Sequence, residues 1–181
     1  MSVNLTPAAV EPALSLYLHV PWCVRKCPYC DFNSHAVTGD IPESAYLKAL
    51  LEDLDQDLRL ARGRTVQTVF IGGGTPSLMS GGFYSDLFRE LKTRLEFAAN
   101  AEITLEANPG TLEQGRFEAF REAGINRLSI GVQSFNPEHL QVLGRIHDSQ
   151  AARNAITAAR QAGFDNFNID LMHGLPGQTP E

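Results

Sequence analysis

The sequence contains only three cysteines, and all of them lie within residues 23–30. An odd number of clustered cysteines does not build a disulfide framework. In a reducing compartment such a cluster binds a metal or an iron–sulfur cluster, or carries out redox chemistry. No apolar run approaches the roughly 18 residues that a membrane-spanning helix requires. Residues 1–15 have neither the positive charge nor the long apolar segment of a secretory signal, so we expect a cytoplasmic protein.

Positive charge is also scarce. The 15 lysines and arginines are outnumbered by 21 aspartates and glutamates, and the net charge is −6. This balance argues against a nucleic-acid-binding protein, whose surface normally carries a stripe of lysines and arginines. With 43% hydrophobic residues among 181, the chain has the composition of one soluble globular domain that buries a core.

Strand-like and helix-like segments alternate along the chain. Strands are predicted at residues 16–20, 68–71, 102–106, 127–131 and 167–171. Helices are predicted at about 43–62, 82–96, 111–124 and 149–162, with a further short helix from Pro137. Such alternation is typical of a parallel sheet with right-handed crossover connections. The predicted fold class is therefore α/β, with about five βα units.

Three of these helices carry further signals. The leucines of the first helix recur at helical spacing and predict one buried face. The second helix is expected to bury five apolar side chains: Phe83, Leu87, Phe88, Leu91 and Leu95. Thr111 and Gln114 have the spacing of a capping box, which predicts that the third helix begins at Thr111.

Residues with chemical potential gather where the predicted strands end. The cysteines follow the first strand and a run of glycines follows the second. The other three strands end in polar side chains, at Glu106, Asn108, Gln133, Ser134, Asp170 and His173. In a (β/α) barrel the carboxyl ends of all strands share one face and converge on one site. A doubly wound open sheet also gathers ligands at that edge, but this concentration favours a partial barrel.

The three cysteines are separated by three residues and then by two. Three thiolates at this spacing fit a [4Fe–4S] cluster with one iron left open to a substrate or cofactor. One alternative is a structural zinc site, with His19, His35 or Asp31 as the fourth ligand. Another is a set of unligated thiols.

The glycine run Gly72-Gly73-Gly74 follows an apolar strand and precedes Thr75. It is not a Walker A loop, because no Gly-Lys-Ser/Thr follows, and Ser77 breaks the G-x-G-x-x-G pattern. The run predicts either a tight strand-to-helix turn or a loop whose backbone a ligand approaches closely.

Several candidate side chains have a purely structural alternative. These alternatives are an ion pair between Glu106 and Arg127, an exposed cation at Arg145, and a turn role for the aspartate that ends the last strand. We expect His19 to face the side opposite Tyr17, where a core role and a site role are equally open.

Six motifs stand in order along the chain. They are Tyr17-x-His19-x-Pro21-x-Cys23-x3-Cys27-x2-Cys30, Gly72–Pro76, Glu106–Gly110, Gly131–Phe135, Leu143–His147 and Asp170–Gly177. Together they resemble the radical S-adenosylmethionine (SAM) superfamily. Within it they resemble the branch of oxygen-independent coproporphyrinogen III oxidases and HemW-type heme chaperones. The resemblance covers roughly residues 16–181. It implies a partial (β/α)6 radical SAM barrel over 16–181 with an N-terminal tail at 1–15, lacking the sixth βα unit and a C-terminal domain.

The resemblance also implies cofactors and site residues. Cys23, Cys27 and Cys30 would ligate three irons of a [4Fe–4S] cluster, and SAM would chelate the fourth. The positions that match SAM contacts are Tyr17, Tyr29, Gly73, Gly74, Thr75, Glu106, Gln133, Arg145 and Asp170. The implied chemistry is one-electron reduction of SAM to methionine and a 5′-deoxyadenosyl radical. Whether one or two SAM molecules bind stays open, and no catalytic residue is assigned.

Phe32 distinguishes the two subgroups of the branch. The oxidases carry a fourth cysteine at this position, whereas the HemW-type chaperones carry phenylalanine. The expected function is therefore to bind heme and deliver it to acceptor proteins, with a flavodoxin or ferredoxin as reductant. The alternative is the oxidative decarboxylation of coproporphyrinogen III to protoporphyrinogen IX.

Overall fold

The computed structural model describes residues 11–110 and 115–179. Within them, five parallel strands form one sheet and two short strands pair separately. The main sheet contains β1 (Leu14–Val20), β4 (Val66–Gly73), β5 (Phe97–Ala107), β6 (Arg127–Gln133) and β7 (Phe167–Leu171). The small sheet contains β2 (Trp22–Cys23) and β3 (His35–Ala36).

The strand order of the main sheet is β1-β4-β5-β6-β7. Each strand is added next to its predecessor along the chain, and the order never reverses over the described residues. A doubly wound sheet has a reversal point at which its ligand binds, whereas sequential winding is that of a (β/α) barrel. The prediction of an α/β fold with a partial parallel barrel is confirmed.

The helices of the described residues are α1 (Glu43–Ala61), α2 (Gly81–Arg94), α3 (Phe117–Ala123), α4 (Pro137–Val142) and α5 (Ser149–Gln161). All except the short α4 place side chains in or against the core on one face of the sheet. A 3₁₀ turn at Pro76–Leu78 joins β4 to α2. Alternation along the strands determines which side chains meet the helices. In β6, Leu128, Ile130 and Val132 are buried in the core, while Ser129 and Gly131 line a cavity on the other side.

The core confirms most of the predicted helix faces, and α1 is the exception. Phe83, Leu87 and Leu91 of α2 are buried as expected. By contrast, no residue of α1 is fully buried, and Leu47, Leu50 and Leu54 only pack against the margin of the core. The leucines of α1 therefore face the core as expected, but the expectation that they are fully buried is wrong.

Several element boundaries differ from the predicted ones, including the first residues of β1 and β4, each two residues earlier than expected. Strand β5 begins at Phe97, five residues earlier than expected, and β2 and β3 were not predicted. The expected start of the third helix, Thr111 with Gln114, lies outside the described residues, and α3 is described from Phe117. None of the helices in the described part of the chain is long and apolar enough to cross a membrane.

Candidate functional site

A cavity of about 690 Å³ opens at the carboxyl ends of the parallel strands. Eleven of the twelve predicted site residues line it: Cys23, Cys27, Tyr29, Cys30, Gly73, Gly74, Thr75, Glu106, Gln133, Arg145 and Asp170. The sequential winding of the sheet explains this convergence, because it places all strand ends along one rim. The twelfth residue, Tyr17, is not among the lining residues and is more than half exposed.

The cysteine loop is anchored to the glycine run through the backbone. The Gly74 and Thr75 N–H groups donate to the carbonyl oxygens of Val20 and Trp22, with N···O distances of 2.6 and 2.7 Å. Cys23 lies in β2 and is buried, whereas the other two cysteines are half-buried. All three cysteines line one cavity, and backbone hydrogen bonds hold the start of their loop against the glycine run.

No three His, Cys, Asp or Glu side chains among residues 11–110 and 115–179 are grouped so that they could hold one metal ion. The zinc alternative thus gains no support from the arrangement of the cysteines. In an iron–sulfur cluster each cysteine binds its own iron, so a cluster does not require the three thiols to converge on one point.

Packing explains two of the three glycines. Gly73 has φ = 115°, and a Cβ there would lie 2.6 Å from the imidazole of His19. A Cβ on Gly74 would lie 2.5 Å from the carbonyl oxygen of Trp22. These contacts join β4 to β1 and to the cysteine loop. The run spans the end of β4 and the turn that follows it, and Gly73 and Gly74 line the cavity. Close approach of a ligand to its backbone stays a prediction.

Glu106 projects from the end of β5 into the cavity. Its Oε2 accepts a hydrogen bond from the backbone N–H of Gly73, with an N···O distance of 3.1 Å. Burial raises the pKa of the Glu106 carboxyl, the Gly73 N–H opposes the rise, and the charge of Asp170 adds to it. Arg127 pairs instead with Glu102, at 3.9 Å, so the Glu106–Arg127 ion pair is not formed.

Arg145 is not an exposed cation. Its Nη2 donates to Asn108 Oδ1 at 2.6 Å and to the Gly131 carbonyl oxygen at 2.7 Å. Its Nη1 donates to Cys27 Sγ at 3.5 Å and to Tyr29 Oη at 3.3 Å. The remaining donor, Nε, is buried and has no partner among the described residues. Burial is the main cause that raises the pKa of the Tyr29 hydroxyl.

Asp170 is held by two polar neighbours on the cavity face of the sheet. The Ser129 hydroxyl lies 3.1 Å from both carboxylate oxygens, and Asn168 Nδ2 donates to Oδ1 at 2.6 Å. The adjacent Gln133 has φ = 67°, in the left-handed region that non-glycine residues rarely adopt. A register shift between Ile130 and Gln133 accompanies it, which directs this strand end away from regular pairing.

Tyr17 and His19 lie on the same face of β1, so the expectation that they face opposite sides is wrong. Residues i and i+2 of a strand share a face, and Tyr17 Oη lies 3.0 Å from His19 Nδ1. His19 Nε2 donates to the carbonyl oxygen of Asn33 at 2.7 Å. Tyr17 also stacks on Phe70 with ring centroids 6.3 Å apart. His19 thereby ties β1 to the segment behind the last cysteine.

Sequence reasoning missed several polar residues of this site. Ser129 and Asn168 lie within predicted strands, where their alternation with Leu128 and Ile169 was a usable signal. His147 is buried, lines the cavity and donates from Nε2 to the Val132 carbonyl oxygen at 3.0 Å. Burial and the nearby positive charge of Arg145 lower the pKa of His147.

Residues 17–181 match the family model of the radical SAM superfamily. The chain belongs to the radical SAM superfamily. Membership implies a [4Fe–4S] cluster and SAM as cofactors. The radical SAM cavity fits them in its chemistry: it presents three thiols, a carboxylate for a cationic group, and an unpartnered buried donor at Arg145 Nε.

Two curated relatives show which members of the superfamily this chain is similar to. The "Heme chaperone HemW" of Escherichia coli is 58% identical over 170 residues, which cover 94% of this chain and 45% of the relative. The mitochondrial "Radical S-adenosyl methionine domain-containing protein 1" of Bos taurus is 39% identical over 173 residues, covering 96% of this chain and 39% of the relative. This radical SAM chain spans less than half the length of these curated relatives.

Among solved structures, the chain is similar to the radical SAM enzyme coproporphyrinogen III oxidase (HemN) from Escherichia coli. The TM-score is 0.83 at 37% sequence identity, and the match covers 94% of this chain and 39% of that one. The [FeFe]-hydrogenase maturase HydG, at 15% identity and a TM-score of 0.57, shares the fold alone.

Proposed function

We propose that this chain is the radical SAM core of a HemW-type heme chaperone, a protein that binds heme and hands it to acceptor proteins. The observation that carries the proposal is the 58% identity to "Heme chaperone HemW" over 94% of the chain. Phe32 adds to it, because it occupies the position at which the related oxidases carry a fourth cysteine. Its side chain lines the cavity mouth and is 56% exposed.

The proposed cluster ligands are Cys23, Cys27 and Cys30, with SAM on the fourth iron. Glu106 and Asp170 present two carboxylates to a ligand that carries an ammonium and a sulfonium, and Arg145 Nε offers a donor to its carboxylate. The other proposed SAM contacts are Tyr17, Tyr29, Gly73, Gly74, Thr75 and Gln133.

The backbone N–H groups of Gly73, Gly74 and Thr75 already donate to acceptors within the protein. Gly73 donates to Glu106, Gly74 to Val20 and Thr75 to Trp22. This supports the proposal that the loop binds the ammonium group of SAM, because only its oxygen acceptors are free to meet a ligand. A ligand therefore meets the loop through carbonyl or hydroxyl oxygens, which are acceptors and suit an ammonium donor.

When bound, the cluster supplies one electron that cleaves SAM to methionine and a 5′-deoxyadenosyl radical, a chemistry that belongs to the cofactors. The chain's own residues bind and orient them. Ser129 and Asn168 hold the Asp170 carboxylate in place, and Gly73 holds that of Glu106. Both carboxylates are thereby oriented before a ligand arrives.

The second candidate is an oxygen-independent coproporphyrinogen III oxidase. The similarity to the HemN structure, with a TM-score of 0.83, favours it. The two candidates differ in class, because a carrier binds heme without turnover and the oxidase converts coproporphyrinogen III to protoporphyrinogen IX.

The first experiment tests the shared cofactor site. The protein is reconstituted anaerobically with iron and sulfide, reduced with dithionite, and measured by EPR with and without SAM. A [4Fe–4S]⁺ signal that changes on addition of SAM supports the open-iron site. Stable zinc binding without a cluster contradicts it.

The second experiment separates carrier from oxidase on the full-length protein. Heme titration followed by transfer to an apo-acceptor is compared with anaerobic turnover of coproporphyrinogen III in the presence of a reduced flavodoxin or ferredoxin. Heme transfer without turnover supports the chaperone. Formation of protoporphyrinogen IX contradicts it and supports the oxidase.

A further inference from the structure

Arg145 joins two parts of the site that are far apart in sequence. It follows α4, 118 positions after Cys27, and its Nη1 lies 3.5 Å from Cys27 Sγ. Its Nη2 is fixed on the opposite side by Asn108 Oδ1 at 2.6 Å and by the Gly131 carbonyl oxygen at 2.7 Å. The guanidinium plane is therefore positioned by the β5 and β6 ends before it reaches the thiol.

Asn108 connects this arginine to the glycine run. Its Nδ2 donates to Thr75 Oγ1 at 3.0 Å while its Oδ1 accepts from Arg145. Thr75 is buried and its N–H is bonded to the Trp22 carbonyl, next to Cys23. A continuous hydrogen-bonded path thus runs from the carbonyl of Trp22, which directly precedes Cys23, through Thr75 and Asn108 to the arginine that contacts Cys27.

A second contact holds the same two loops together. The Arg25 guanidinium, inside the cysteine loop, donates to the carbonyl oxygen of Gly144, directly before Arg145. The approach of Arg145 to Cys27 is therefore maintained from both sides and does not rest on one flexible side chain.

We propose that Arg145 tunes the reduction potential of the cluster through its N–H···S contact with Cys27, and that Asn108 is the positioning residue that keeps it there. The inference rests on the assignment of Cys27 as a cluster ligand. Hydrogen bonds to cluster sulfurs and the net charge around the cluster set the potentials of iron–sulfur proteins. Reduction adds negative charge to the cluster, so a nearby cation and a donor to sulfur both stabilise the reduced state and raise the potential.

The test is an EPR-monitored redox titration of the anaerobically reconstituted protein without SAM. The wild type is compared with Arg145→Met, which removes the charge and all donors, and with Arg145→Lys, which keeps the charge but lacks the planar fork. The potential is expected to become more negative in both, and further in Arg145→Met. Asn108→Ala is expected to shift it in the same direction by less, because the Gly131 carbonyl still holds Nη2.

The matched control is Arg160→Met. Arg160 is exposed on α5, lies over the Phe167 ring and does not line the cavity. Its loss changes the net charge equally and is expected to leave the potential unchanged. A purely structural role for Arg145 would alter the melting temperature without moving the potential of the assembled cluster.

The outcomes separate this inference from the proposed function. If the wild type assembles a cluster and the Arg145 variants show the same reduction potential as the wild type, the inference is wrong, whereas the proposed cofactor site is still supported. If the wild type assembles no cluster, the cofactor site itself fails, and the inference fails with it. Should Arg145→Met not assemble, Arg145→Lys and Asn108→Ala decide: an unchanged potential in both overturns the inference, and a negative shift supports it.

Discussion

The backbone N–H of Gly73 donates a hydrogen bond to the carboxylate of Glu106, with 3.1 Å between Gly73 N and Glu106 Oε2. The bond joins the end of β4 to the end of β5, 33 positions apart. It orients a carboxylate that burial makes costly to ionise. The Glu106 carboxylate is therefore suited to bind a cationic ligand, but in the empty site its charge lowers the stability of the fold.

Glu106→Gln tests this conflict between stability and binding. Burial raises the folded-state pKa of Glu106. Its contribution to stability is therefore full below the unfolded pKa and is lost as the pH rises through the folded pKa. Glutamine keeps an acceptor for Gly73 and cannot ionise, so the cofactor-free variant is expected to gain more stability over wild type at about pH 8 than at about pH 5.

The measurement is urea unfolding of both proteins at the two pH values, followed by SAM titration of the reconstituted forms. SAM affinity is expected to fall by about tenfold or more, because hydrogen bonds to charged groups contribute about 1.5–3 kcal/mol. An equal stability change at both pH values would contradict the proposed burial effect.

His147 predicts the opposite pH dependence. Burial, followed by the charge of Arg145, lowers its folded-state pKa, so the unfolded chain binds the proton more tightly. Its contribution to stability is present above the unfolded pKa, about 6.5, and is lost as the pH falls through the folded pKa. The slope of stability against pH below this value is expected to flatten in His147→Gln. An unchanged slope in His147→Gln would show that burial of this imidazole does not govern its protonation.

Gly74→Ala and Gly82→Ala form a matched pair. A Cβ on Gly74 meets the backbone oxygen of Trp22 at 2.5 Å, which cannot move aside cheaply, and the expected cost is about 1–3 kcal/mol. At Gly82 in α2 the nearest atom is Ser80 Oγ at 3.7 Å, and the expected gain is about 0.4–1 kcal/mol. Unfolding free energies measure both. Equal effects at the two positions would show that the close approach at Gly74 is not a constraint.

Cys27→Ala is expected to abolish the cluster, because only two cysteine ligands remain in the described chain. Iron and sulfide content and the visible absorption of the reconstituted protein measure the loss. Ser34→Ala, a change in the same loop that removes a hydroxyl 3.9 Å from Cys30 Sγ, is the control and is expected to retain the cluster. A fully assembled cluster in Cys27→Ala would exclude this cysteine as a ligand.

Much of the fold followed from local patterns. The positions of β4, β6 and β7 and the buried face of α2 were readable from periodicity, since alternation and helical spacing report directly which side chains are apolar. The extent to which each helix is buried was not readable from periodicity. The leucines of α1 are periodic, yet none is fully buried, because burial depends on which other elements pack over that face.

The site divides in the same way. The cysteines and the glycine run stood out in the sequence because their residue types and spacing are unusual, and sequential strands implied that they would converge. Only the tertiary structure brought Arg145 to Cys27 and Asn108 to Thr75. The shared face of Tyr17 and His19 was instead readable from strand alternation, because residues i and i+2 of a strand lie on one side. Spacing along the chain determined which residues are able to do chemistry. Which of them touch was decided by packing between strands and loops more than 30 positions apart, which no local pattern encodes.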